Sequence, residues 1–340
     1  MATSRYIALT EIPQGLPRED QFALREQSLA PLAEGEVRVR NLWLSVDPYM
    51  RGRMSGVTTY VEPYALDAPM DGGAVGEIVA SKDSRYATGD LVRHMAGWRD
   101  VAQLSGDQVE PLPEHDVPPQ AYLGVLGMPG MTAWTGLNRI AQMQPGERVL
   151  VSAASGAVGS LAVQLALAAG CQVVGVAGSD AKCEWLEGLG ARAVNYRGKD
   201  VEALTQALAE AAPEGIDVYY ENVGGPLLDA ALANLRDHAR IAVCGLIDRY
   251  NDAQAGDGPR NLNRLLFRKA RMEGFIVAEH WAHYPTFLAE VAPQVAAGKM
   301  RYRETVVEGL ERTPEAFLKL FSGDNEGKML VRLDASAADV

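Results

Sequence analysis

Between Ser152 and Gly159 the chain reads Ser-Ala-Ala-Ser-Gly-Ala-Val-Gly, directly after the apolar run Arg148-Val149-Leu150-Val151-Ser152. An Ala- and Leu-rich stretch, Ser160 to Ala169, follows and is closed by Gly170, and Gln172 to Ala177 reads as a second strand. Strand, glycine turn, helix and strand in this order are what a dinucleotide-binding turn requires. Gly156 and Gly159 would let the backbone approach a pyrophosphate, with Ala157 and Val158 between them. The helix start offers its unpaired N–H groups and positive dipole end to the phosphates. Ala153 stands where the usual fingerprint has its first glycine. The competing reading is an ordinary strand-to-helix turn that uses small residues for packing.

The end of the second strand bears on which dinucleotide. NAD sites carry an acidic residue there to hold the adenosine ribose. Here the strand ends Val176-Ala177-Gly178-Ser179, so Ala177 fills the acidic position, and Lys182 lies five residues on. Losing a carboxylate removes repulsion toward a ribose phosphate, and a lysine adds a flexible positive charge. NADP(H) is therefore expected over NAD(H). Asp180 runs against this, and its side chain is expected to cap the helix beginning at Ala181 instead. Taken alone, Lys182 reads equally well as a surface lysine.

The elements that must position this turn follow from periodicity. Glu36 to Ser45 alternates polar and apolar residues, as a half-buried strand does, and Gly76 to Ala80 and Asp90 to Arg93 look similar. The first third is thus expected to be an antiparallel, barrel-like β region. Ala121 to Ile140 is apolar at helical spacing, broken by Gly127-Met128-Pro129-Gly130. Strands at Arg148–Ser152, Gln172–Ala177, Ala193–Tyr196, Val218–Tyr220 and Arg240–Cys244 then alternate with helices at Ser160–Ala169, Ala181–Leu189, Val201–Ala211 and Leu227–Leu235. This alternation predicts a doubly wound parallel sheet. Strand signals return between Tyr302 and Leu333, around a helix at Pro314 to Phe321.

Bulk properties exclude several classes. The chain has 340 residues, too many for one small core, and is 47% hydrophobic and 22% charged, as a globular protein is. Its net charge of -12 argues against nucleic-acid binding. The basic cluster Arg264, Arg268, Lys269, Arg271 reads as a solvated helix face. Three scattered cysteines, Cys171, Cys183 and Cys244, give no disulfide framework. No apolar stretch has the length of a membrane span, and the N-terminus has no signal-peptide core. The chain is read as cytoplasmic.

Several runs carry a family resemblance: Ser45-Val46-Asp47-Pro48-Tyr49-Met50-Arg51-Gly52-Arg53-Met54, Leu123 to Gly130, Ala153 to Gly159, Val176 to Cys183, Tyr220-Glu221-Asn222-Val223-Gly224-Gly225, Val243 to Leu246, Tyr250-Asn251 and Met272 to Ile276. In these the chain resembles the zinc-independent branch of the medium-chain dehydrogenase/reductases, that of the prostaglandin (leukotriene) reductases, alkenal double-bond reductases and bacterial curcumin reductases. The resemblance implies a Rossmann domain over residues 126–304. It implies a GroES-like β-barrel domain from residues 1–125 and 305–340. It carries NADPH contacts onto Gly156, Ala157, Val158 and Gly159 for the pyrophosphate, and onto Ser179 and Lys182 for the ribose phosphate. Tyr196 would lie on the adenosine side, with further contacts at Asn222, Cys244, Gly245, Tyr250, Asn325 and, on the nicotinamide side, Phe275, Ile276 and Val277. Read from its neighbours alone, Asn222 is a turn-forming residue before Gly224-Gly225. The strand from Arg271 to Ile276 would lie at a sheet edge, where relatives dimerise, so a homodimer is expected.

Zinc-dependent relatives use cysteine and histidine ligands in the barrel domain. No cysteine precedes Cys171, and His94 and His115 lack ligand-like spacing. No metal is expected, and both are read as surface or hydrogen-bonded histidines. The implied chemistry is reduction of the C=C bond of an enone or alkenal. Hydride transfer is then the cofactor's chemistry. Charge developing on the substrate oxygen would be met by a neutral donor, either a tyrosine or the cofactor's ribose hydroxyl. Tyr250 is the first candidate and Tyr49 the second, and the proton donor is either Tyr250 or water. Tyr49, Tyr60, Tyr64 and Met128 would line the substrate pocket, and Met54, Met70, Met131 and Trp98 suit a broad apolar pocket by type. Each alone is as readily a packing residue. The alternatives are an NADPH quinone reductase and a non-catalytic NADPH-binding protein. A methyltransferase reading would want an acid where Ala177 sits.

Overall fold

The computed structural model describes residues 2–252 and 256–333. The chain divides into two compact units, one of residues 1–124 with 304–340, the other of residues 125–303.

In the first unit β1 (Thr3–Leu9) pairs antiparallel with β2 (Phe22–Ser28). Then come β3 (Glu36–Ser45), the short helix α1 (Met50–Arg53), β4 (Ala74–Ser81), β5 (Leu91–His94), β6 (Val101–Ser105) and β7 (Val109–Pro111). The alternation in β3 buries Val37 and Val39 on one face, because successive side chains point to opposite sides of a pleated strand. A register shift between Asn41 and Trp43 then re-aims the strand, so that Leu44 is buried too.

The second unit opens with α2 (Met128–Thr135) and continues β8 (Arg148–Val151), α3 (Ala157–Ala168), β9 (Gln172–Ala177), α4 (Asp180–Glu187), β10 (Arg192–Asn195), α5 (Val201–Ala211) and β11 (Ile216–Glu221). It ends α6 (Gly225–Ala233), β12 (Leu235–Val243), α7 (Arg264–Arg268), β13 (Arg271–Gly274) and α8 (Tyr284–Ala296). The six strands are all parallel, in the order β10-β9-β8-β11-β12-β13. That is the doubly wound Rossmann order, which reverses beside the first strand. Leu150, Val174, Val176, Tyr219 and Ile241 form its core with the helices.

The chain then returns to the first unit with β14 (Glu304–Glu308), α9 (Thr313–Ser322) and β15 (Lys328–Arg332). There the sheet order is β14-β15-β3-β4-β5-β7, with β6 also on β3, which completes the GroES-like domain. No helix among the described residues is long and apolar enough to cross a membrane.

Two expectations change. Gly127-Met128-Pro129-Gly130 does not break a helix but begins one. Pro129 sits in the first turn of α2, where its missing N–H costs nothing. A Cβ at Gly130 would collide with the Val125 carbonyl. The apolar set Met54, Met70, Met131 and Trp98 is fully buried core rather than pocket lining. Met54, Met70 and Trp98 pack in one cluster with Phe317, and Phe22 stacks on Trp98 at 6.1 Å. The basic cluster is at the surface, where Arg268 and Lys269 pair with exposed Asp237 at 3.2 and 2.7 Å, and Arg271 lies on β13, not on the helix.

Candidate functional site

In an open parallel sheet, ligands bind beyond the carboxyl ends of the strands. Each strand of the Rossmann unit delivers a nominated residue there. β8 runs into the Ser152 to Gly159 turn, β9 into Gly178-Ser179, and β10 into Tyr196. β11 runs into Asn222, β12 into Cys244-Gly245, and β13 into Phe275, Ile276 and Val277.

The glycine turn is shaped by close approach. A Cβ at Gly159 would collide with the Ala153 carbonyl, and one at Gly156 would sit 3.2 Å from the same oxygen. Ala153 itself has φ of 45°. This is the left-handed region, which costs an L-residue roughly 1–2 kcal/mol. The position thus makes the same demand that a glycine meets in the usual fingerprint. No side chain caps α3, whose N-cap is Gly156. The turn fits a pyrophosphate: its crest carries no side chain at Gly156 and Gly159, and its first helical turn lacks a competing cap.

At the end of β9 the cap is Ser179, not Asp180: the Ser179 hydroxyl accepts from the Lys182 N–H at 3.3 Å. Asp180 instead lies in the first turn of α4 and accepts from the Asn195 side chain at 2.7 Å. Lys182 stands half-buried in that turn. Tyr196 is 44% exposed, with its hydroxyl over Gly178, where a Cβ would come within 2.9 Å.

Asn222 is bound to the turn as well as placed near it. Its Nδ2 donates to the Ser152 carbonyl at 2.7 Å, and its N–H donates to Ser152 Oγ at 2.7 Å. The Cys244 thiol is pushed up to about 12 by burial, so it stays neutral. Gly245 lies under Tyr250, with 2.9 Å from a built Cβ to the phenol oxygen. A side chain at Gly245 would make Tyr250 shift. Met128 is half-buried at the start of α2.

The other nominated residues belong to the first unit. Tyr49 is half-buried, and burial pushes its phenol well above the usual range, so it is a neutral donor. Tyr60 is 60% exposed. Tyr64 is a correction: it is buried, its hydroxyl donates to the Asp71 carbonyl at 2.7 Å, and Arg53 stacks on its ring at 4.0 Å. Its donor is committed to the fold and does not serve a pocket. Asn325 bonds the Gly327 carbonyl at 3.1 Å in the turn before β15. His115 is exposed, while His94 is fully enclosed, and its Nδ1 accepts from the Ala96 N–H at 3.1 Å.

Two residues escaped the sequence reading. Glu221, buried at the end of β11, and Lys328, buried on β15, each hold polar partners far away in the chain. The only signal was a charged residue within an apolar strand, which must be paired if buried.

Comparison with known proteins agrees with this architecture. Residues 5–112 match the family described as the N-terminal domain of oxidoreductase, and residues 157–292 match the zinc-binding dehydrogenase family. Among the described residues no group of three His, Cys, Asp or Glu could hold a metal ion, so the donor set does not fit the zinc of that description. The chain is 42% identical to the 2-alkenal reductase (NADP(+)-dependent) of Nicotiana tabacum, over 97% of each chain. It is 40% identical to the NADPH-dependent curcumin reductase of Escherichia coli, again over 97% of each. A crystal structure of CurA from Vibrio vulnificus in complex with NADPH superposes with a TM-score of 0.90 at 39% identity, covering 97% of this chain and 99% of that one. On this fold and these relatives, the chain belongs to the medium-chain dehydrogenase/reductase family.

Proposed function

We propose that this chain, an NADP-dependent oxidoreductase, reduces the carbon–carbon double bond of α,β-unsaturated ketones and aldehydes. The observation that carries the reading is identity of about 40% over nearly the whole chain to both an alkenal and a curcumin reductase. Both substrates hold a C=C bond conjugated to a carbonyl.

Bound NADPH supplies the hydride. Gly156, Ala157, Val158 and Gly159 would hold its pyrophosphate, Ser179 and Lys182 its ribose phosphate, and Tyr196 would lie on the adenosine side. Asn222, Cys244, Gly245, Tyr250, Phe275, Ile276, Val277 and Asn325 complete the contacts. As charge develops on the substrate oxygen, Tyr250 donates a hydrogen bond to it, sharing that task with the ribose hydroxyl. A neutral donor already in place stabilises such charge without reorganising. Tyr49 is the second donor, and its raised phenol keeps the proton for this use. Tyr60 and Met128 border the substrate. The donor set supports a reaction without zinc. The partner is a second copy of the chain. Edge strand β13 and the α7 residues Leu266 and Phe267, 78% and 59% exposed, support this.

The test is NADPH oxidation with a simple enone, followed by identification of the product. A saturated ketone is expected. An allylic alcohol would sink the reading, as would turnover of quinones alone. Tight NADPH binding with no turnover across a broad enone panel would leave only a binding role.

A further inference from the structure

Glu221 ends β11 with its side chain fully buried, which for a carboxylate calls for compensating hydrogen bonds. One oxygen, Oε1, accepts three of them: from Ser152 Oγ at 2.9 Å, from the Gly224 N–H at 3.1 Å and from the Val223 N–H. Its backbone carbonyl accepts two more, from the Cys244 N–H at 2.8 Å and the Gly245 N–H at 3.2 Å. Ser152 begins the glycine turn and in turn holds Asn222 by two bonds. The Asn222 and Val223 carbonyls accept from Ile247 and Asp248, at the start of the segment leading to Tyr250. The hydroxyl of fully buried Tyr219 also lies against this carboxyl.

One residue thus touches three separate strand exits. The Val223 and Gly224 amides are bound through a carboxyl oxygen instead of by water or helix. Ser152 lies 69 positions away in the chain, so the bond between them closes a long loop. The hydroxyl that this carboxyl orients is the one that receives the Asn222 N–H.

We propose that Glu221 is a positioning residue: its carboxyl locks the glycine turn to the Asn222–Gly225 segment, on whose backbone carbonyls the Cys244–Tyr250 segment in turn hangs, and this alignment sets the affinity for NADPH. The inference rests on reading the Ser152 to Gly159 turn as the NADPH site. Glutamine can present one oxygen to the same three donors. Leucine has similar bulk and presents none.

The experiment is fluorescence titration with NADPH, steady-state kinetics and thermal melting for wild type, Glu221→Gln and Glu221→Leu. Glu221→Gln is expected to keep NADPH affinity within about twofold. Glu221→Leu is expected to weaken it about tenfold or more, with kcat at saturating NADPH reduced less than KM is raised. A folded Glu221→Leu with wild-type affinity overturns the proposal, and so does a folded Glu221→Gln as weak as Glu221→Leu. If Glu221→Leu does not fold, Ser152→Ala removes only the bridging hydroxyl. A rise of about threefold or more in KM for NADPH then supports the lock, and an unchanged KM overturns it. Failure of the wild type to bind NADPH would remove the site reading itself, and the proposal with it.

Discussion

The side-chain amide of Asn195 donates to the carboxylate of Asp180 at 2.7 Å, across the mouth between β9 and β10. Asp180 is an acid next to Ser179 and in the same helical turn as Lys182, where a ribose phosphate would sit. A neutral amide keeps that acid pointed at β10 without cancelling its charge. Asn195→Ala should release the carboxylate. Two charges about 4 Å apart in water interact by about 1 kcal/mol, so the preference for NADPH over NADH should fall about fivefold. Lys182→Ala should cost NADPH affinity about tenfold and leave NADH unaffected. KM values for both cofactors, at two salt concentrations, check this. An unchanged ratio in both variants would contradict the assignment.

Tyr250→Phe keeps the ring over Gly245 and deletes the hydroxyl. A positioned acid–base group contributes about 10²–10⁴-fold, and water can replace part of it here. A fall in kcat of about 10²-fold is expected, with KM for NADPH within about threefold. Tyr49→Phe should lower kcat by less. Equal kcat in Tyr250→Phe and wild type would remove Tyr250 from the chemistry.

Lys328 Nζ lies 2.8 Å from Asp47 Oδ1 and 2.8 Å from the Val46 carbonyl, and both side chains are buried. Ser45 Oγ holds the other Asp47 oxygen. The pair ties β15 to the turn that carries Tyr49. Removing one partner leaves a buried charge uncompensated, at about 3–5 kcal/mol. Lys328→Met should therefore lose about that much in urea unfolding. The Lys328→Met, Asp47→Leu double variant should recover part of it. Equal losses in single and double variants would refute the pairing argument.

Burial, with Arg99 nearby, lowers His94 to about 3, so it is neutral in the folded chain. The unfolded chain takes up that proton near pH 6.5. The folded-state value is the lower one, so stability is complete above pH 6.5 and is lost as pH falls toward 3. One proton corresponds to roughly 1.4 kcal/mol per pH unit in that window. His94→Gln should flatten the acid limb of the stability curve. An unchanged acid slope would show that other groups govern it.

Leu266→Glu with Phe267→Glu places two charges on the most exposed apolar surface of α7. In light scattering at micromolar concentration, the wild type should have the mass of two chains and the double variant that of one. A monomeric wild type would contradict the edge-strand dimer.

The β-α alternation and the glycine turn were legible because they rest on local rules. Strand and helix periods repeat within a few residues, and the missing acid at Ala177 is visible as a residue type. Even the departure at Ala153 occupies the conformation expected of that position. What could not be read was which polar group meets which. Glu221 appeared only within a matching run, yet its partner Ser152 lies 69 residues away. Lys328 reaches Asp47 across 281. The Tyr64 hydroxyl is spent on Asp71, and Met54, Met70, Met131 and Trp98 are core. Residue type declares what a side chain can bond or bury. Its partner and burial depend on how strands distant in sequence come to lie together, and only the tertiary structure decides that.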